Sequence, residues 1–557
     1  MVQRYSFILF KAMTQFRFHV NLVDLFTDTI TPKEVVVENG VITQILPSKH
    51  QGGPFMIPGF VDAHVHVESS LLPPAEFARM AVVHGTVCTV SDPHEIANVT
   101  GVKGVEWMIE NGKKVPFKFH FGAPSCVPAT PFETAGATIS VSDIRYLFES
   151  GKTKYLAEMM NWPGVLFNDE EVFAKIKLDK EFGFPVDGHA PGLLGEKARK
   201  YAEAGISTDH ECFTYEEGLA KIQAGMKVLI REGSAAKNFE ALIPLLGQFP
   251  AMVMFCSDDK HPDSLLDGHI NQLVKRAAAR HNNIFHVLRA ACLNPIMHYK
   301  LPVGLLRLGD PADFLLVDDL HHFHILETWI DGEKVASSGD SLIERQSLEL
   351  INQFQVNLKS ETDFEVNGKH DKKIRVIEAI DGQLITNQLL FEPKLENGKL
   401  IPQPELDILK LLVVNRYNDA APAIAFIKNF GLKKGAIASS VGHDSHNITA
   451  IGLDDASLAK VVNAIIENKG GLAATDGEHV HVLPLPIAGL MSDQDGYQVA
   501  DLYTKLDRFA KDELGSTLGS PFMTLSFMAL LVIPELKLSD KGLFNGLSFE
   551  FVGLQTD

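Results

Sequence analysis

The chain is expected to be an α/β protein, a (β/α)8 TIM-like barrel that carries a small composite β-sandwich and a C-terminal α/β domain. Three observations point there. Helical stretches that end at glycine are followed by short apolar strands, eight such strands between residues 61 and 258 end in polar side chains, and two alternating β segments flank that whole stretch. The 557 residues are too many for one ordinary core and leave room for a barrel of about 250 residues beside two further units.

Residues 20–46 alternate apolar and polar side chains on both sides of Glu38-Asn39-Gly40, a hairpin turn signal. The pattern returns at 310–337, where Asp331-Gly332 marks a second hairpin. Two such pieces flanking a long insert are expected to close into one sandwich, made of residues 1–58 with 304–345. Between them, residues 59–303 have the αβ rhythm: "FARMAVVHG" precedes "TVCTVSD", "KARKYAEAG" precedes "ISTDHE", and "GLAKIQAG" precedes "MKVLIREG". Glycine stands where a left-handed C-cap is easiest, and Thr214 with Glu217 forms a capping box. The eight strands fall near 61–67, 86–92, 117–122, 155–159, 185–189, 207–210, 227–232 and 252–258. In such a barrel chemistry belongs at the C-terminal strand ends. From about residue 346 a polar stretch leads into the C-terminal α/β domain, 346–557.

The formal charge of -19 argues against a nucleic-acid partner, since affinity for a phosphate backbone is built from clustered Lys and Arg. Five cysteines, Cys88, Cys126, Cys212, Cys256 and Cys292, stand singly with no C-x-x-C pair, which fits reduced thiols in the cytoplasm. The apolar run at residues 5–10 lacks a cleavage site and makes a poor signal peptide, and translation from Met1 or Met13 stays open. "FMALLVI" at 527–533 is far shorter than the roughly 20 residues that span a bilayer. A cytoplasmic homo-oligomer without a membrane or nucleic-acid partner is expected.

The strand tips carry the chemistry. "PGFVDAHVHVESS" places His64 and His66 two apart, on one face of a strand. With 22 histidines in the chain, about one H-x-H arises by chance, and His322 with His324 and His479 with His481 repeat the spacing. Context separates the first pair: Glu158 ends the fourth strand, His189 the fifth, His210 the sixth and Asp258 the eighth. Six metal-compatible side chains on five strands of one barrel suit a pair of divalent ions. Imidazole and carboxylate without thiolate suit Mn2+, Fe2+ or Zn2+, and Glu158 has two oxygens with which to bridge two ions. A bridging water would have its pKa lowered toward neutrality.

The chain resembles bacterial adenine deaminases of the amidohydrolase superfamily in "PGFVDAHVHVESSLLPPAEFA", "SDPHEIANVTG", "FGAPSCVPATPFETAGA", "IREGSAAKN", "AIASSVGHDSHN", "PLPIAGLMS" and "PFMTLSFMAL". The superfamily implies the sandwich, the metal-bearing barrel and hydrolysis; the narrower resemblance implies adenine and water giving hypoxanthine and ammonia. Many relatives carry a carboxylated lysine on the fourth strand, where this chain has Glu158, which favours the deaminase group over cyclic amide hydrolases. On that reading hydroxide attacks C6, Asp258 takes its proton and passes it toward the departing amine, and a second acid protonates a ring nitrogen. Glu95 and His94 in "SDPHE", with Asp92, and Glu211 beside His210 are the candidates for that part of the machinery. Arg231, Glu232, Ser234 and Ser125 are candidate purine contacts.

The zinc base deaminases with P-C-x-x-C need a cysteine pair that this chain lacks. Deamination of another aminopurine, hydrolysis of a cyclic amide, and a metal-free scaffold are the competing readings. His443, Asp444 and His446 in "SSVGHDSHN" either stabilise a loop or reach toward the barrel mouth; the structural role is preferred because the barrel already supplies a complete ligand set, and whether the C-terminal domain lids its own barrel or a neighbour's stays open.

Overall fold

The computed structural model describes residues 14–50, 52–234, 236–281 and 283–556; the run at 5–10 and the alternative start at Met13 lie outside the described residues. The amino-terminal part forms β1 (Gln15–Asp24), β2 (Thr29–Glu38), β3 (Val41–Pro47) and β4 (Phe55–Pro58). Asn39 and Gly40 both take positive φ between β2 and β3, as a two-residue hairpin whose twist matches its strands requires.

Eight parallel strands follow. β5 (Phe60–Val65), β6 (Thr86–Ser91) and β7 (Lys118–Phe121) pair with one another, as do β8 (Leu156–Met159) and β9 (Val186–Gly188), and then β10 (Thr208–Asp209), β11 (Lys227–Arg231) and β12 (Val253–Cys256). Parallel bridges Ala123–Leu156, Val186–Ile206 and Val65–Asp258 join these groups end to end, so the pairing returns from the last strand to the first. β5, β6 and β12 are buried along their whole length, which is why they read as apolar runs rather than alternating ones. All eight coincide with the segments expected from the sequence. The capping box differs in detail: Thr214 accepts from Glu217 N, but the Glu217 carboxylate turns to Phe213 N and Gly192 N and ties two strand-end loops together.

The chain then returns to the first sheet through β13 (Phe314–Val317), β14 (Ile325–Ile330), β15 (Glu333–Ser337) and β16 (Asp340–Ser341). The two β pieces do join, but as one eight-stranded sheet, β16-β15-β14-β13-β4-β1-β2-β3. The reason is β4, which pairs in parallel with β1 and antiparallel with β13 and zips the pieces edge to edge. The sheet curls until Ile42 N donates to Asp310 O at 3.0 Å, enclosing Val20, Val35, Val37, Phe314 and Trp329. The two hairpin turns meet there, and a Cβ on Gly40 would lie 2.5 Å from Asp331 O.

After an extended connector, β17 (Ile374–Ala379) and β18 (Thr386–Phe391) begin a second mixed sheet, with a side hairpin of β19 (Leu395–Glu396) and β20 (Lys399–Leu400). β21 (Ile408–Val414), β22 (Ala423–Lys428), β23 (Ala436–Ser439), β24 (Ile448–Gly452), β25 (Gly471–Thr475) and β26 (Val480–Pro484) complete it. On β21, Leu412 and Val414 pack with the helix Asp455–Glu467, whereas Leu409, Leu411 and Val413 join the core shared with the strand ring, as the two-residue period of a strand demands. Ties across that boundary include Arg79 to Asp495 at 2.9 Å and the hydrogen bond between the Tyr503 hydroxyl and His261 Nδ1 at 2.6 Å. Burial lowers the His261 pKa to about 3, so the imidazole is neutral. Among the described residues no helix is long and apolar enough to cross a membrane.

Candidate active site

The closure of the ring builds the first half of the site. Asp258 N donates to His64 O at 2.9 Å, so the end of the eighth strand lies against the end of the first. His66 Nε2 is consequently 3.3 Å from His64 Nε2, 3.2 Å from Asp258 Oδ1 and 3.2 Å from Glu158 Oε1. The other Glu158 oxygen, Oε2, faces a second group, 2.7 Å from His189 Nδ1 and 3.3 Å from His210 Nε2. All six side chains are buried. The structure therefore brings together His64, His66, Glu158, His189, His210 and Asp258, with the carboxylate of Glu158 between two clusters.

This donor set fits divalent cations. Ligand atoms about 2.1 Å from a common ion sit about 3.4 Å apart in a tetrahedron, the spacing seen around His66. His66 Nδ1 donates to Asp92 O at 3.1 Å, which leaves Nε2 with its lone pair facing the cluster. The electrostatics agree. Although burial works against it, Glu211 and Glu158 raise the His189 pKa to about 9, and Asp258 with Glu158 raises His66 well above its ordinary value. So many buried carboxylates call for positive charge, which a cation supplies in place of imidazole protons.

The remaining predicted residues divide into those that face the cavity and those that brace its wall. His94 and Glu95, at the start of the helix His94–Thr100, line one cavity together with the cluster. Asp92 holds the wall, since its oxygens accept from His94 N at 3.0 Å and Glu158 N at 3.2 Å. Glu211 reaches the cavity, but both its oxygens are taken by Arg231. Arg231 is fully buried and also donates to Asp258 Oδ2 at 2.6 Å; it orients two acids instead of offering an edge to a ligand. Ser125 donates to Glu158 O at 2.5 Å, and Ser234 bonds Ser264 Oγ and His261 N at 2.9 Å each. Glu232 points outward to Arg276 at 2.6 Å. These three lie outside the cavity lining, because each side chain is spent on a neighbouring segment.

The largest departure from the sequence reading is the C-terminal contribution. His443 Nδ1 lies 2.6 Å from Glu95 Oε1, and His446 Nε2 bonds Glu95 Oε2. Burial opposes ionisation of Glu95, yet His443 and His446 hold it well below the usual carboxylate range. His443 and Asp444 line the cavity, as do Leu384, Phe527 and Leu530. The "HDSH" cluster thus belongs to the site and not to a remote loop, and the C-terminal domain covers the strand ring of its own chain. The apolar run at 527–533, too short for a membrane, supplies part of that cover. Asp259, the second acid of "CSDDKHP", also lines the cavity and accepts from Ser69 Oγ at 2.5 Å. The other histidine pairs stand apart: His322 and His324 are exposed beside Asp319 and Asp318, and His479 and His481 are exposed on the C-terminal sheet.

A parallel strand ring that gathers imidazoles and carboxylates at its C-terminal ends is the arrangement of a metal-dependent hydrolase, and the Amidohydrolase family model matches residues 55–335. The model of the adenine deaminase C-terminal domain matches residues 383–550. Similar proteins include the adenine deaminase of Sulfurovum sp. (strain NBC37-1), 55% identical over 96% of this chain and 98% of that one. The adenine deaminase of Salinibacter ruber is 53% identical over 95% and 97%, and that of Methanosarcina mazei 51% identical over 96% and 99%. The chain belongs to the adenine deaminase family of amidohydrolases.

Proposed function

We propose that the protein hydrolyses adenine to hypoxanthine and ammonia at a pair of divalent ions held by His64, His66, Glu158, His189, His210 and Asp258. The observation that carries this reading is the two-sided placement of Glu158, one oxygen facing His66 and the other facing His189 and His210. Mn2+ or Fe2+ is the expected pair, and Zn2+ also suits the donors. Bound there, divalent ions would lower the pKa of the attacking water toward neutrality.

The chain's own groups handle the protons. Asp258 Oδ1 stands beside His64 and His66, where it accepts the proton of the attacking water and passes it to the departing amine. Arg231 holds the other oxygen of Asp258, so the receiving oxygen keeps its direction. His94 lines the same cavity, and although burial works against it, Asp92 and Glu95 raise its pKa well above the ordinary value; it is placed to deliver the proton that a ring nitrogen takes as C6 becomes tetrahedral, with Glu95 beside it as a carboxylate.

Architecture and setting follow the same reading: a (β/α)8 barrel over 59–303, a composite β unit of 1–58 with 304–345, and a covering domain over 346–557. Five buried free cysteines favour the reducing cytoplasm, and a homo-oligomer is the expected assembly. The test is ultraviolet monitoring of adenine loss with parallel ammonia release, using protein supplied with Mn2+ or Fe2+. About two ions per chain and adenine turnover abolished by chelation are expected. Ammonia from another aminopurine or a cyclic amide, but not from adenine, would replace the substrate assignment. Activity untouched by chelation, at near-zero metal content, would remove the metal from it.

A further inference from the structure

We infer that Asp444, contributed by the C-terminal domain, recognises the ring N9–H of the free base and thereby rejects purines substituted at that nitrogen; this rests on the adenine reading above. Asp444 is 3% exposed and lines the cavity. Its Oδ1 is 3.9 Å from His94 Nε2 and 3.8 Å from His443 Nδ1, both beyond a hydrogen bond, and its Oδ2 has no partner. The neighbouring imidazole is committed elsewhere, since His443 Nδ1 is 2.6 Å from Glu95. A buried carboxylate oxygen without a donor is costly unless a ligand supplies one.

Its position says which ligand atom that is. His94 Nδ1 lies 3.4 Å from Glu158 Oε1, at the ligand-rich end of the cavity, and Nε2, on the far side of the ring, lies 3.5 Å from Glu95 Oε1 and 3.9 Å from Asp444 Oδ1. A purine whose C6 sits over the Glu158 and Asp258 end therefore runs along His94 and offers its five-membered ring to Asp444. The donor on that part of free adenine is a ring N–H, and a carboxylate accepts it. Leu384, Phe527 and Leu530 supply apolar walls for the ring faces. The acid is held rigidly: His443 N donates to Ser526 O at 3.1 Å, Tyr417 Oη to Ser445 O at 2.7 Å, and Asn447 Nδ2 to Thr134 O at 2.9 Å. A substituent on N9 removes the donor, strands the buried acid again and meets the covering domain. Discrimination then comes from an unmatched polar group rather than from size alone.

The experiment compares the Mn-loaded wild type with Asp444→Asn and Asp444→Ala, measuring adenine kcat and KM, inhibition by 9-methyladenine, and metal content. In the wild type 9-methyladenine should bind at least about tenfold more weakly than adenine. In Asp444→Ala the adenine KM should rise by about tenfold or more, with a smaller change in kcat, and the gap between the two ligands should close. Asp444→Asn keeps an acceptor oxygen in the same shape and should lie between. Metal content should stay constant in all three. An unchanged KM and an unchanged ligand gap in the Asn and Ala proteins would overturn the assignment, as would loss of metal in step with activity, which would place Asp444 among the ligands. A wild type that binds neither compound and leaves adenine intact would instead sink the substrate reading on which the assignment depends.

Discussion

Arg231 and Glu232 are neighbours in sequence and opposites in the structure. Arg231 is fully buried between Glu211 and Asp258, while Glu232 meets the half-exposed Arg276. Removing the guanidinium leaves two buried acids without their cation, and Arg231→Met should lower adenine kcat/KM by about a hundredfold or more. Glu232→Ala breaks a pair worth under about 1 kcal/mol and should leave turnover within about twofold. Comparable losses in both variants would return Glu232 to the substrate's side. The motif "IREGS" points to this loop, yet which residue turns inward depends on the strand's rotation, and a strand packed on both faces shows no alternation that reveals it. The six strand-tip donors were legible for the opposite reason, because imidazoles and acids at the ends of apolar strands have few other uses.

At the scale of elements, the three H-x-H pairs test whether position or spacing matters. His64 and His66 end β5 against Asp258, whereas the other pairs sit on exposed edges. Double alanine replacement of His64 and His66 should cost metal and about a thousandfold in rate; the same change at His322 with His324, or at His479 with His481, should cost neither. The loop between β7 and the helix Val141–Glu149 supplies a second test. Burial, and then the charge of Asp444, raises the Glu133 pKa to about 8. The folded chain therefore holds a proton there that the unfolded chain releases from pH 4.5 upward, so this group's contribution to stability falls as pH rises from there to about 8. Replacing it by glutamine removes the titration. Glu133→Gln should gain on the wild type between pH 5 and pH 8 by on the order of a few kcal/mol, read from denaturant midpoints at the two values. A constant difference across that window would mean that Glu133 is ionised in the fold.

At the scale of the molecule, the strand ring and the C-terminal sheet share one apolar core that includes Val61, Leu229, Leu411, Val499 and Phe527. The connector reinforces it, accepting from Trp107 Nε1 at Glu349 O and from Ala488 N at Ile351 O. Because the two parts share this core, calorimetry should find one cooperative transition for both. Two transitions, with the C-terminal part melting first while the metal stays bound, would mean that the cover is separable.

The sequence by itself determined the order of strands, the turns at Asn39-Gly40 and Asp331-Gly332, and the donors at the strand tips, because each depends on local backbone conformation or on residues whose chemistry is rare inside a fold. It left the two β pieces as a sandwich and "HDSH" undecided between a loop and the barrel mouth. Those questions turn on contacts between segments hundreds of residues apart, such as β4 with β13 and Glu95 with His443. Nothing local to either partner encodes the pairing; only the shared core that presses the C-terminal sheet onto the strand ends brings Asp444 to the cavity, and that burial is a property of the assembled chain.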